Sequence, residues 1–174
     1  MKYLIRTALA AMALLLLVVQ AEEVDMKNID VNLGFAKFPE IHTCLGMDTS
    51  PKIEIQVKNV TSLAMILEDP DAPSGVFTHW LIWNIPPLSV IPQAILHNAT
   101  VTKPFSAIQG TNSFGEIGYS GPCPPQGKAH RYFLRAFGLD SMLNIKPGAS
   151  RQELVAAMQG HVLAQGEAMA TFKR

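Results

Sequence analysis

The chain has 174 residues, 16% of them charged, with 14 basic and 14 acidic side chains, five histidines and two cysteines. That balance, with no cluster of Lys and Arg, excludes the basic footprint of a nucleic-acid binder. The length suits one domain with a single core, and charge well below the usual figure of about a quarter points to function in a partly apolar pocket.

The first predicted element is an export segment rather than part of the fold. Lys2 and Arg6 precede the apolar run Thr7 to Val19 ("TALAAMALLLLVV"), and the small residues Val19 and Ala21 stand where a signal peptidase reads the chain. A membrane anchor is the weaker reading, because this run falls short of the roughly 20 residues that cross a bilayer. The expectation is a signal peptide over residues 1–21, one domain over 22–174, and secretion across the inner membrane into the periplasm. Without Lys2 and Arg6 the chain keeps 12 basic against 14 acidic side chains, a net charge of about −2. In an oxidising compartment Cys44 and Cys123 are expected to bridge, the alternative being two buried free thiols; closing that span would stabilise the fold by about 4.5 kcal/mol in the chain-entropy model.

Asp30 to Phe38 alternates loosely, and the loop "FPEIHTCLGMDTSP" follows. "KIEIQV" (52–57) sets Ile53, Ile55 and Val57 against Lys52, Glu54 and Gln56, the pattern of a half-buried strand. "SLAMILE" (62–68) and "HWLIWNI" (79–85) are continuously apolar and read as strands buried on both faces, the second stopped by Pro86-Pro87. Residues 86–128 are rich in Pro, Gly, Ser and Asn, a long irregular stretch of the kind usually functional or heavily tied down. "AHRYFLRAFGL" (129–139) is a further strand, with His130, Tyr132, Leu134 and Ala136 on one face. A capping box at Ser150-Arg151-Gln152-Glu153 starts a helix. Leu154, Met158 and Val162 give it an inward stripe, Gly160 weakens its middle, and Gly166 is predicted to end it before a short last strand. Several strands followed by one late helix predict a mainly antiparallel β, or α+β, domain.

Chemistry concentrates in "DPDAPSGVFTHWLIWNIP", residues 69 to 86. Asp69 and Asp71 project from a proline-stiffened turn at a strand end, where they either build a site or bond nearby amides as turn residues. His79 opens the next strand. "GYSGPCPPQGKAHRY" (118–132) is a second Pro/Gly loop leading into a strand, again with a histidine near its start, so strand ends are expected to converge on one pocket. Its glycines let backbone amides approach an anion, while His130 and Tyr132 share a strand face and add a switchable cation and a hydroxyl.

These segments, with "CLGMDTSP", closely resemble the signatures of the phosphatidylethanolamine-binding protein family (Raf kinase inhibitor protein-like), in its bacterial and archaeal branch, over nearly the whole chain after the export segment. The resemblance implies a large antiparallel sheet packed on a smaller one, Greek-key-like, with a helix near the C-terminus. It also implies an anion pocket formed by Asp69, Asp71, His79, the backbone at Gly121 and Pro122, His130 and Tyr132, and a cis bond at Ala72-Pro73.

The function expected is non-catalytic binding of phosphate-containing small molecules or lipid head groups such as phosphoethanolamine, with no cofactor. An aspartate beside a phosphate site is accommodated if it holds a histidine protonated, accepts a bond from backbone or tyrosine, or meets an ammonium group. Modulation of proteins such as serine proteases and formation of a homodimer are further expectations from the family. The alternative is a hydrolase using an Asp-His pair, but Ser120 has no nucleophile-elbow motif around it. A metal site from Asp69, Asp71, His79 and His130 lacks compact ligand spacing.

Overall fold

The computed structural model describes residues 27–174. The predicted signal peptide and its cleavage point after Ala21 lie outside the described residues. The elements run in order β1 (Lys27–Asn28), β2 (Asp30–Asn32), a 3-10 turn (Glu40–His42), β3 (Ile53–Gln56), β4 (Ser62–Asp69) and β5 (Phe77–Ile85). They continue with β6 (Val90–Ile91), β7 (Thr100–Val101), β8 (Ala107–Gln109), β9 (His130–Leu139), α1 (Arg151–Met158) and β10 (Val162–Phe172). Seven strands form one sheet in the order β1-β10-β9-β4-β5-β8-β7, and β2-β3-β6 form a smaller one. This is the predicted large-on-small arrangement. Between these strands the pairings are antiparallel save β1 with β10, where Lys27 lies opposite Ala164; outside them a parallel bridge joins Lys37 to Thr171.

β4 is buried throughout and β5 from Thr78 onward, because each faces two cores. Leu63, Met65, Leu67, Trp80 and Ile82 point between the sheets, against Ile53 and Ile55 of β3 and Leu134 of β9. Ala64, Ile66, Leu81 and Trp83 point the other way, against Leu154 and Met158 of α1 and Leu143 of the preceding loop. Two-sided burial is why both strands read as unbroken apolar runs. The parity of β5 changes near its end, where Asn84 adopts φ 57° and the β4–β5 register shifts between Leu63 and Met65. Asn84 tolerates that conformation and uses its amide to bond Leu143 N and O at 2.7 and 3.0 Å, tying the loop before α1 to the sheet. Glu68 makes a second tie. It is buried on the helix side and accepts from Arg135 Nη1 at 2.9 Å and from Arg151 Nε at the start of α1.

The C-terminal region departs from expectation. The capping box forms, with Glu153 N donating to Ser150 Oγ at 3.3 Å and Ser150 N donating to Glu153 Oε2 at 2.8 Å. The helix nevertheless stops at Met158, and Val162 belongs to β10. Gly160, at φ 80°, is the terminator rather than a weak middle, since only glycine takes the left-handed region without strain. Gly166 is mid-strand, opposite Ala136, and a side chain there would run into the Ile29 carbonyl. Its role is close passage of the N-terminal backbone across the sheet edge.

The predicted cis bond at Ala72-Pro73 is also corrected: the cis peptide found among the described residues is Lys103-Pro104. Gly75 N donates to Ala72 O at 3.0 Å, closing a turn with Pro73 at its second position. A trans proline supplies the φ that position requires, whereas a cis proline belongs one residue later in a turn.

Candidate ligand-binding site

The antiparallel neighbours of β4 decide where chemistry gathers. Because β5 and β9 both run opposite to β4, the end of β4 meets the starts of both, bringing Asp69, Phe77, His79 and His130 to one end of the large sheet. A cavity of about 270 Å³ opens there. Its floor carries Asp69, His79 and His130, and its walls include Pro73, Phe77 and Phe114. A larger cavity of about 550 Å³ lies elsewhere, beside Asp30, Val57, Lys58 and Leu88, without a histidine or a convergent polar cluster. The smaller cavity is therefore the candidate site.

Asp69 is 3% exposed and fully engaged. Its Oδ1 accepts from Asp71 N at 2.8 Å, which is the predicted turn chemistry, and its Oδ2 accepts from His130 Nδ1 at 2.8 Å, which is the predicted site chemistry. The two readings are both satisfied by one carboxylate. His79 Nδ1 lies 2.7 Å from the Ser120 carbonyl, which only accepts, so that nitrogen carries the proton and Nε2 is the atom left for a ligand. Burial disfavours the charged ring and pulls the His79 pKa below its usual value; the Ser120 carbonyl and the Asp69 charge oppose that shift without cancelling it.

Tyr132 is completely buried beneath the site, with its ring edge-on to His79 at 5.3 Å and to Phe38 at 5.5 Å. Its hydroxyl has no hydrogen bond of normal geometry among the described residues, and the nearby Asp69 carboxylate acts on it as a neighbouring charge. Burial first, then that charge, raises its pKa far above the ordinary phenol value, so it remains a donor. An unpaired buried donor beside a cavity is unusual, since buried hydroxyls are normally satisfied.

Besides Tyr132, which lies beneath the cavity lining, three of the expected ligand contacts are placed differently. Asp71 turns outward, where Arg131 grips it through Nη2 at 2.6 Å and Nε at 2.9 Å while the Arg131 amide adds a third bond at 2.9 Å. Those bonds hold its carboxyl well below the usual range. Its charge is thus neutralised away from the cavity. The Gly121 amide is taken by the carboxylate of Asp48 at 2.6 Å, and the Pro122 carbonyl accepts from Cys44 N at 3.2 Å. Gly121 is required here because a side chain would strike the His42 carbonyl. Gly121 and Pro122 therefore line the inside of a loop contact rather than the cavity.

Residue reasoning missed Phe77, Phe114 and Asp48, and weighed Ser120 only as a nucleophile, not as the anchor of His79. Phe77 and Phe114 meet edge-to-face at 4.7 Å and form an aromatic wall, and Phe114 also meets the His79 ring at 5.7 Å. The signal for Phe77 was available, two residues before His79 on the same strand face. Asp48 and Phe114 lie in loops whose partners are distant in sequence. The Ser120 hydroxyl donates to Glu116 Oε2 at 3.0 Å and accepts from Asn112 Nδ2 at 2.9 Å. Cys44 and Cys123 form the expected disulfide, with Cα atoms 5.4 Å apart, and Cys123 lines the cavity. Arg174 Nη1 rests 3.7 Å from Cys123 Sγ.

This fold and these paired loops define a family. The profile described as "Phosphatidylethanolamine-binding protein" matches residues 30–173, and the chain belongs to that family. Among its relatives, a UPF0098 protein of Pyrococcus horikoshii is 50% identical over 139 residues, 78% of this chain and 70% of that protein. Another UPF0098 protein, of Pyrococcus abyssi, is 45% identical over 154 residues, 86% of each chain. Among solved structures, a phosphatidylethanolamine-binding protein homologue of Chlamydia trachomatis superposes with TM-score 0.75 at 32% identity, covering 85% of this chain and 99% of that one. Escherichia coli YbcL, described as a member of the mammalian family, superposes with TM-score 0.74 at 25% identity, covering 84% and 98%.

Proposed function

We propose that the protein binds a small phosphate-bearing ligand, free or as a phosphoethanolamine-type head group, and performs no chemistry on it. The observation that carries this reading is the convergence of the His79 and His130 rings on one partly apolar cavity, with each Nδ1 anchored by a protein acceptor. Nδ1 anchoring leaves Nε2 of both rings for the ligand, with Asp69 fixing the orientation of the His130 ring. The feared repulsion between carboxylates and phosphate is reduced because Asp71 is paired with Arg131 outside the cavity. Phe77 and Phe114 suit the carbon portion of an ester or an alkylammonium group. The family membership supports binding as the general mode.

The test is calorimetric titration with phosphate and with phosphoethanolamine of the wild type, His130→Ala and Asp71→Asn. Binding should disappear in His130→Ala, by tenfold or more in affinity, and persist within a few-fold in Asp71→Asn. Equal affinity in His130→Ala and wild type would overturn the assignment.

A further inference from the structure

The segment Tyr119–Cys123 is held on two sides. Toward the cavity, Ser120 O fixes His79 Nδ1 at 2.7 Å and Ser120 N donates to the His79 carbonyl at 3.0 Å. On its other side the segment is fastened to the loop that follows the Glu40–His42 turn. Tyr119 Oη donates to His42 O at 2.6 Å, Gly121 N to Asp48 Oδ1 at 2.6 Å and Cys44 N to Pro122 O at 3.2 Å. The disulfide Cys44–Cys123 is the covalent member of this set. The fastened loop exposes Cys44, Leu45, Gly46 and Met47, and its remaining bonds are internal to residues 40–49, such as Gly46 N to Thr43 O at 3.0 Å, Thr49 N to Ile41 O at 3.2 Å and His42 Nδ1 to Thr49 O at 2.8 Å. Such a loop with few apolar contacts opens at low free-energy cost once a tether is cut.

We infer that the Cys44–Cys123 bond is a redox control on the ligand cavity, its reduction releasing the strap that orients His79 and weakening binding. This rests on the ligand reading above. Cys44 is exposed and Cys123 partly so, which leaves the bond approachable by a soluble dithiol or a dithiol oxidoreductase. A thiolate of the dithiol attacks one sulfur, the Cys44–Cys123 bond breaks and a mixed disulfide forms. The second thiol then closes the reagent's own disulfide and frees the second cysteine. Two electrons and two protons pass to the protein, leaving two thiols, and the dithiol leaves oxidised.

Coupling of this kind is reciprocal: if reduction weakens the ligand, the ligand makes the bond harder to reduce by the same factor. The experiment measures phosphate affinity of the oxidised protein, of the protein reduced by dithiothreitol, and of a Cys44→Ser/Cys123→Ser variant that needs no reductant. The imidazole NMR signals of His79 are followed in parallel. Affinity should fall about tenfold in both thiol-free-bridge forms, and saturating phosphate should lower the midpoint potential of the bond by about 30 mV, the equivalent of that factor for two electrons. The His79 signals should shift or broaden on reduction while the signals of β4 and β9 hold their positions. Equal affinity with unmoved His79 signals overturns the inference, and so does global unfolding on reduction, which would make the bond a stability element only. If no form binds phosphate or phosphoethanolamine, the ligand reading fails by itself, and the His79 signals alone decide the coupling: a change on reduction supports it and constancy sinks it.

Discussion

At His79 a single buried ring governs both affinity and stability. Its pKa is held below the unfolded value, so below about pH 6.5 the unfolded chain takes up a proton that the folded ring resists. Stability from this group is therefore fully present at neutral pH and is lost as pH falls through 6.5 toward the folded value. The urea midpoint should decline over that window, at up to about 1.4 kcal/mol per pH unit for one proton, and the decline should flatten in His79→Gln. Ligand affinity should move the other way. In the folded protein His79 charges only below its usual range, and charging turns Nε2 into a donor, so phosphate affinity measured by calorimetry should gain as pH drops below 6.5 and lose that gain in His79→Gln; an equal gain in the variant would remove His79 from the ligand contacts. The sequence revealed His79, His130 and Asp69 because strand ends and proline turns are local patterns. It did not reveal that Asp71 belongs to Arg131 or that Asp48 occupies the Gly121 amide, because those partners are 60 and 73 residues apart in the chain.

Elements were read well where one pattern covered the segment, the unbroken apolar runs of β4 and β5 and the alternation of β9. The helix failed because its apolar four-residue step continues through Val162 while the backbone turns at Gly160, and a step pattern cannot see a left-handed residue. Substitution should separate the two glycines. Gly166→Ala, facing the Ile29 carbonyl, should cost about 1–3 kcal/mol or more by overpacking, and Gly160→Ala, in open space, about 1 kcal/mol through backbone strain alone. Thermal and denaturant melts of the pair would check the order. The tie between α1 and the sheet is equally specific. Glu68→Ala leaves Arg135 and Arg151 without their buried carboxylate and should cost about 1–3 kcal/mol, moderated because both guanidinium groups reach solvent. Glu167→Ala, at an exposed pair with Arg135, should cost less than about 1 kcal/mol.

For the whole molecule, strand count and a late helix indicated a mainly antiparallel β or α+β domain and the family resemblance implied its large and small sheets, whereas the parallel placement of β1 was legible in neither. Two residues carry no periodicity. The disulfide closes a span of 79 residues, so reduction should lower the melting temperature by about 10 °C, given roughly 4.5 kcal/mol and 2–4 °C per kcal/mol at this size. Scanning calorimetry with and without reductant measures it, at temperatures above those where the binding comparison is made. Lys27 sits opposite Ala164, near the Leu139 end of the large sheet, while Phe172 pairs with His130 at the cavity end and Arg174 reaches Cys123. Lys27, where the described residues begin, and Arg174 thus stand at opposite ends of the large sheet. An affinity handle or surface attachment added after Arg174 stands at the doorway of the cavity, whereas one joined at the side chain of a residue near Lys27 sits at the far end of the sheet from it.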